Sequence, residues 1–353
     1  MRTLLALAIA LSPMTGKAED SALSPEALGR IDAHAHFFAE AKPVLDFLER
    51  ANITAVNVCV VDRYEAGYES AGPQHRMARH LAEVSAGRLP WIATFDDAGF
   101  ARPDFAARAL SEIDAAFGEG ALGVKIYKSI GMELRDARGA YLLPDDPAFD
   151  PILEGLAARG KTLYAHLAEP IAAWEALDPR SPDYDYYRTR GAWHVYGRPG
   201  VPTKEAILAA RDRMLQKHPS LRVVGCHLGS MEEDVDAVAR RLDSYPNFAV
   251  DTAARVLHLM LQPREKVRAF LIRYQDRVLY GTDVELMPSR DPVEAVRSLQ
   301  TAYARDWTYF ATAQTFEHEG HTVTGLALPE PVLRRLFREN ALHWIPGLGK
   351  TRR

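Results

Sequence analysis

Apolar and polar positions along the chain fall into two textures that take turns. Short runs of nearly unbroken apolar character, rich in β-branched and aromatic residues, alternate with longer stretches in which apolar positions recur every three or four residues. The first texture predicts strands at 29–36 (GRIDAHAH), 55–62 (AVNVCVVD), 90–96 (PWIATFD), 122–128 (LGVKIYK), 161–167 (KTLYAHL), 221–228 (LRVVGCHL), 247–253 (NFAVDTA) and 277–283 (RVLYGTD). The second predicts helices between them, for example over 105–120 and 231–245. Strands that are apolar throughout are covered on both faces, as in a parallel sheet flanked by its crossover helices. Eight of them alternating with helices predict an α/β fold, a distorted (β/α)8 TIM-type barrel in a single domain. One connection is longer than the rest. The stretch 169–202, rich in Tyr, Trp, Pro and Asp, follows the fifth strand on the side where active-site loops lie, and is expected to be a lid-like insertion.

Polar residues interrupt the apolar texture mainly at strand ends. His34 and His36 close the first strand, Lys125 lies on the fourth, and His166, His227 and Asp283 close the fifth, sixth and eighth. On the first strand Asp32, His34 and His36 alternate with Ala33 and Ala35, and a period of two puts all three on one face. In a β/α barrel the C-terminal strand ends meet at one mouth, whatever their separation in sequence. Imidazole nitrogen and carboxylate oxygen are the ligands that Zn²⁺ and neighbouring transition metals prefer. The convergence therefore predicts a metal site rather than a set of structural histidines.

Composition narrows the class. The 353 residues are 47% hydrophobic and 25% charged with a net charge of −4, and the absence of a basic run argues against nucleic acid as a partner. The apolar run LLALAIAL at 4–11 is too short to span a bilayer, and Gly16 and Ala18 follow at the spacing of a signal-peptidase site. The expectation is a leader over 1–18, a mature domain over 19–353, and a periplasmic or secreted, membrane-free protein. Cys59 and Cys226 lie in apolar strand-like runs and are expected to be buried free thiols. No nucleophile elbow, P-loop or dinucleotide fingerprint occurs.

The motifs DAHAH (32–36), GVKIYK (123–128), YAHLAE (164–169), GCHLG (225–229), YGTD (280–283) and the closing ALPEPVLRRLFRENALHW (327–344) together resemble the amidohydrolase superfamily. The likeness is greater to its amidohydrolase-related branch, which holds metal-dependent hydrolases, lactonases and non-oxidative decarboxylases, and it runs over about 30–344. It implies a divalent metal, zinc foremost, on His34, His36, His166 and Asp283, with Asp283 and His227 catalytic. A second metal, held by Lys125 and His227, is implied only if Lys125 is carbamylated; otherwise Lys125 is a substrate-side ammonium or an inward barrel residue. The implied activity is hydrolysis of a lactone, ester or amide bond in a small polar molecule, with decarboxylation on the same metal as the alternative. A homo-oligomer is compatible with the chain.

Other residues carry two readings each. Arg255, just after the seventh strand, either grips a substrate carboxylate or pairs with a helix acid. Asp251 on that strand is a support for a ligand or a cap, and Glu169 orients substrate or guards the lid. Lys128 is expected to be solvated. His194 in the lid is expected to pack on aromatic neighbours. His318 and His321 in FEHEGH are three apart beside Gly320, which does not fit the helical i, i+4 histidine pair of zinc proteases.

Overall fold

The computed structural model describes residues 23–65 and 68–349; the leader expected over 1–18 lies outside them. All eight expected strands form, each shorter than the apolar run that announced it. They are β1 Ile31–Phe37, β2 Thr54–Val58, β3 Trp91–Ile92, β4 Gly123–Ile126, β5 Thr162–Ala165, β6 Arg222–Gly225, β7 Phe248–Asp251 and β8 Val278–Leu279. Every pairing among them is parallel, in the orders β3-β2-β1 and β4-β5-β6-β7-β8. Backbone hydrogen bonds join these two arcs into a ring. At one seam Ala93 N–H donates to the Gly123 carbonyl (2.9 Å) and Lys125 N–H to that of Ala93 (2.7 Å). At the other, Ala33 N–H donates to Tyr280 (2.8 Å) and Asp283 N–H to His34 (2.8 Å). A ninth short strand, β9 (Glu285–Leu286), runs on beside the end of β1.

Burial explains the apolar runs. Ile31, Ala33, Val56, Val58, Ile92, Val224 and Leu279 fill the barrel interior, whose base is closed by Trp344 and Ile345 near the C-terminal end. A larger apolar layer lies between strands and helices, among them Phe105–Glu119 and Val235–Ser244, close to the expected spans. Residues 315–324 form an antiparallel hairpin, β10 (Thr315–His318) and β11 (His321–Thr324), so His318 and His321 sit across a turn and not on a helix. Both cysteines are buried and free. Among the described residues no helix is long and apolar enough to cross a membrane.

One expectation about β1 fails. Asp32 pairs with Ala55 but Ala35 with Asn57, three steps on β1 against two on β2, which is a β-bulge. The bulge reverses the alternation. Ile31 and Ala33 face the interior upstream of it, whereas Ala35 and Phe37 face the outer layer downstream, so Asp32 lies on the opposite side from His34 and His36.

Candidate active site at the barrel mouth

Three histidines at the mouth, His34, His36 and His227, each have Nδ1 anchored and Nε2 turned towards the site. His34 Nδ1–H donates to Asp251 Oδ2 (2.8 Å), His36 Nδ1–H to the Val58 carbonyl (2.6 Å) and His227 Nδ1–H to the Ala253 carbonyl (2.9 Å). A carboxylate or carbonyl only accepts, so these bonds assign the proton to Nδ1 and leave a lone pair on each Nε2. The Nε2 atoms of His34 and His36 stand 3.4 and 3.3 Å from Asp283 Oδ1, which is buried and has no hydrogen-bond partner. Two lone pairs facing a carboxylate oxygen form a repulsive arrangement that a cation among them would resolve. This donor set fits a divalent metal.

The other residues expected at the mouth are there too. His166, fully buried with Nε2 unpartnered, packs against His227 at 4.2 Å between ring centroids, to one side of the His34–His36–Asp283 trio. Lys125 Nζ donates to His34 Nε2 (2.9 Å). Burial, reinforced by Lys125, holds His34 well below the usual imidazole range, and burial likewise lowers His166. His227 is brought down to about 3, burial again being the largest cause. Burial pushes the Asp283 carboxyl up, but attraction to His227, His36 and His34 in their protonated forms outweighs it and sets it well below its ordinary value, so the carboxylate loses its proton before the rings become neutral.

Backbone conformation marks the same place. Ala168, His227, Leu228, Ser230, Ala254 and Asp283 all have φ between 54° and 65°, and all lie just past β5 to β8. Left-handed backbone costs a non-glycine residue roughly 1–2 kcal/mol, so the cluster is strain concentrated at the mouth. Nothing in the apolar pattern announced it. Gly281 has a different reason to be glycine: a Cβ there would lie 2.9 Å from that of His34.

Asp251 is a support and not a cap. Its Oδ2 orients His34, while its Oδ1 accepts from the His227 and Ala253 amides (2.7 and 3.2 Å). In Asp251→Asn the side-chain oxygen keeps the amides and its NH₂ faces His34 Nδ1, which must then accept. The ring proton moves to Nε2 and the lone pair there is lost. Metal affinity is expected to fall about 10–100-fold, read by competition with a chromogenic chelator. Unchanged affinity would remove His34 from the metal set.

The long connection over 169–202 is tied to the mouth from below. Lys128 was expected in solvent but is 1% exposed, ion-paired with Glu169 and donating to the Tyr186 hydroxyl (2.7 Å), its ammonium 4.6 Å from the Trp193 ring centroid. An apolar, aromatic surround favours this burial only because Glu169 supplies the countercharge. Glu169 also accepts from Tyr187 (3.1 Å), and Asp62, unnoticed in the sequence, accepts from Tyr127 and Trp193 (both 3.0 Å). His194 packs near Tyr187 and Tyr196, as expected.

Beside Tyr186 and Arg190 of this connection lies a small inner cavity at Lys125 and His36, opening into an outer one of about 520 Å³. The outer cavity runs from His227 and Asp283 past Arg255 and Glu169 to the hairpin residue His318. Arg255 is nine-tenths buried there; its Nε makes no hydrogen bond and is 3.6 Å from Glu232, whose other oxygen Lys204 already holds. Arg190, Glu285, Arg290 and the hairpin also line the space, and no local spacing in the sequence signalled them.

A parallel β/α ring with imidazoles and a carboxylate converging at its C-terminal mouth defines an enzyme of the divalent-metal TIM-barrel class. The chain belongs to the amidohydrolase family, whose sequence profile matches residues 31–346. No curated protein sequence matches it. Among solved structures, an uncharacterised TIM-barrel protein from Bordetella bronchiseptica is similar at 15% identity and a TM-score of 0.52, covering 91% of this chain and 99% of that one. An amidohydrolase II structure is similar at 17% identity and 0.50, covering 90% and 99%. A 2,6-dihydroxybenzoate decarboxylase from Rhizobium is similar at 14% and 0.49, covering 90% and 98%. At these identities the likeness to the first two concerns the fold alone.

Proposed function

We propose that this chain is an exported, metal-dependent hydrolase that opens a lactone, ester or amide bond in a small polar substrate. The observation that carries the reading is Asp283 Oδ1, buried without a hydrogen-bond partner against the Nε2 atoms of His34 and His36. His34, His36, His166 and Asp283 are the residues that would hold the ion, with zinc the first candidate for this nitrogen and oxygen set. When bound, such an ion supplies a Lewis acid that makes water acidic enough to react near neutral pH.

The remaining work falls to the chain's own groups. Asp283, held in its carboxylate form, accepts the proton that water gives up and later returns one to the leaving group. His227 presents an Nε2 lone pair, so it serves as a second proton acceptor, and donates to a substrate oxygen only after taking a proton. Arg255 lies where its guanidinium can hold a substrate carboxylate. The Lys128–Glu169 latch keeps Tyr186 at the mouth.

Elemental analysis of the purified protein is the first test. About one metal per chain supports the single-ion reading with Lys125 facing substrate. About two, lost together in Lys125→Ala, establishes a carbamate bridge at Lys125. None, even after reconstitution with zinc or manganese in bicarbonate buffer, sinks the reading. Turnover of a panel of lactones, aryl esters and aromatic acids in ¹⁸O-water then separates the two chemistries. A hydrolase puts one ¹⁸O into the acid it forms, whereas release of CO₂ from an acid without that label would make the protein a decarboxylase.

A further inference from the structure

The outer cavity is lined by four arginines, and three of them have an acid. Arg305 pairs with Asp306 at 2.7 Å, Arg190 stands 3.5 and 3.7 Å from Glu65 and Glu285, and Arg255 faces Glu232 at 3.6 Å. Arg290 differs. Its guanidinium donates through Nη1 to the Glu285 carbonyl (2.9 Å) and through Nη2 to the Ser298 hydroxyl (2.7 Å). Both acceptors are neutral, and among the described residues no carboxylate oxygen lies within the 4.0 Å of an ion pair. The nearby Glu285 side chain is directed to Arg190 instead.

Two hydrogen bonds to fixed partners, one at the strand β9 and one on the helix Pro292–Ala311, hold this guanidinium in place without neutralising it. A positioned cation with a donor edge left over is a ready site for an anion, because the entropy of ordering the side chain is already met. Arg290 shares its cavity with Asp283 at the proposed reaction centre and with Arg255. A space of about 520 Å³ falls in the range of about 300–1,000 Å³ that holds a drug-sized ligand.

We propose that the outer cavity takes substrates carrying two separated anionic groups, organic dicarboxylates, with the second carboxylate bound at Arg290. The proposal rests on the reading above that Arg255 receives the first carboxylate beside the reaction centre. The charge pattern then selects by length as well as by charge, since only a molecule that spans the cavity satisfies both cations at once.

The test is isothermal titration calorimetry of the metal-replete protein with the linear dicarboxylates from succinate to suberate, each against the monocarboxylate of the same chain length. At least one diacid is expected to bind about tenfold or more tightly than its monoacid partner. Arg290→Gln is expected to erase that advantage while keeping wild-type metal content, melting temperature and monoacid binding; Arg290→Lys, which keeps the charge, is expected to restore part of it. Equal affinity for diacid and monoacid in the wild type overturns the proposal. So does a diacid preference that survives in Arg290→Gln, which would place the second carboxylate on the metal or elsewhere. A protein that holds no metal removes the hydrolase reading, yet the same titrations still decide the role of Arg290.

Discussion

Asp283→Asn is expected to leave a folded protein whose turnover falls on the order of 10³-fold and whose metal is held more weakly. Three features of the site set that size. The amide cannot accept a proton, so the proposed base is gone. It is also neutral, so the charge that faces His34 and His36 Nε2 disappears. Finally, asparagine tolerates the φ of 64° at this position, so the backbone need not move and the loss is chemical. Stability is expected to change in the opposite direction. In the metal-free protein Asp283 Oδ1 is a buried acceptor with no donor, whereas an asparagine NH₂ can donate to an imidazole lone pair. The metal-free variant should therefore melt at or above the wild-type temperature, by about 1 kcal/mol at the hydrogen-bond scale. Scanning calorimetry in EDTA, kcat/KM on the best panel substrate and metal content by mass spectrometry check the three parts. A variant that keeps its activity, or one that loses it by unfolding, would refute the catalytic role.

The same residue shows what the sequence revealed and what it hid. The barrel was legible because burial on two faces forces unbroken apolar runs, and the mouth because its polar residues are the exceptions to those runs. His34, His36, Lys125, His166, His227 and Asp283 all reach it. The long connection over 169–202 stood out by its length and aromatic content. Three things lay beyond that logic. Tyr186 and Asp62 meet Lys128 and Trp193 through contacts between residues 58 to 131 apart in sequence, so the burial of Lys128 has no local signature. The hairpin enters the outer cavity through His318 because of where the helix Pro292–Ala311 leaves it, not because of its own sequence. The left-handed turn at 227–230 is occupied by His, Leu, Gly and Ser, of which only the glycine hints at it.

Asp32 is the clearest misreading, and its replacement by alanine carries the largest expected effect on stability. Alternation placed it beside His34 and His36; the bulge turns it away, into a pocket behind the metal trio. There Oδ1 accepts from the amides of His34 and Thr282 (both 3.1 Å), and Oδ2 from the hydroxyls of Thr282 (2.5 Å) and Tyr303 (2.9 Å). One buried side chain thus ties the bulge of β1 to the segment that carries Asp283 and to the helix Pro292–Ala311. Burial pushes its carboxyl up to about 6 in spite of those four donors, so it is mostly ionised at neutral pH and depends on all of them. Asp32→Ala strands four donors in a dry site at about 1–3 kcal/mol each, partly offset by the carboxylate no longer being desolvated. The net loss is expected to be about 3–5 kcal/mol in urea unfolding. Asp32→Asn should lose much less, because its oxygen serves the two amides and the hydroxyls can rotate to accept from its NH₂. Since Thr282 is the neighbour of Asp283, the alanine variant should also lose metal at a temperature where it is still folded. Equal losses for alanine and asparagine would show that charge, and not the hydrogen-bonded span between β1 and Thr282, is what holds the ligand strand in register.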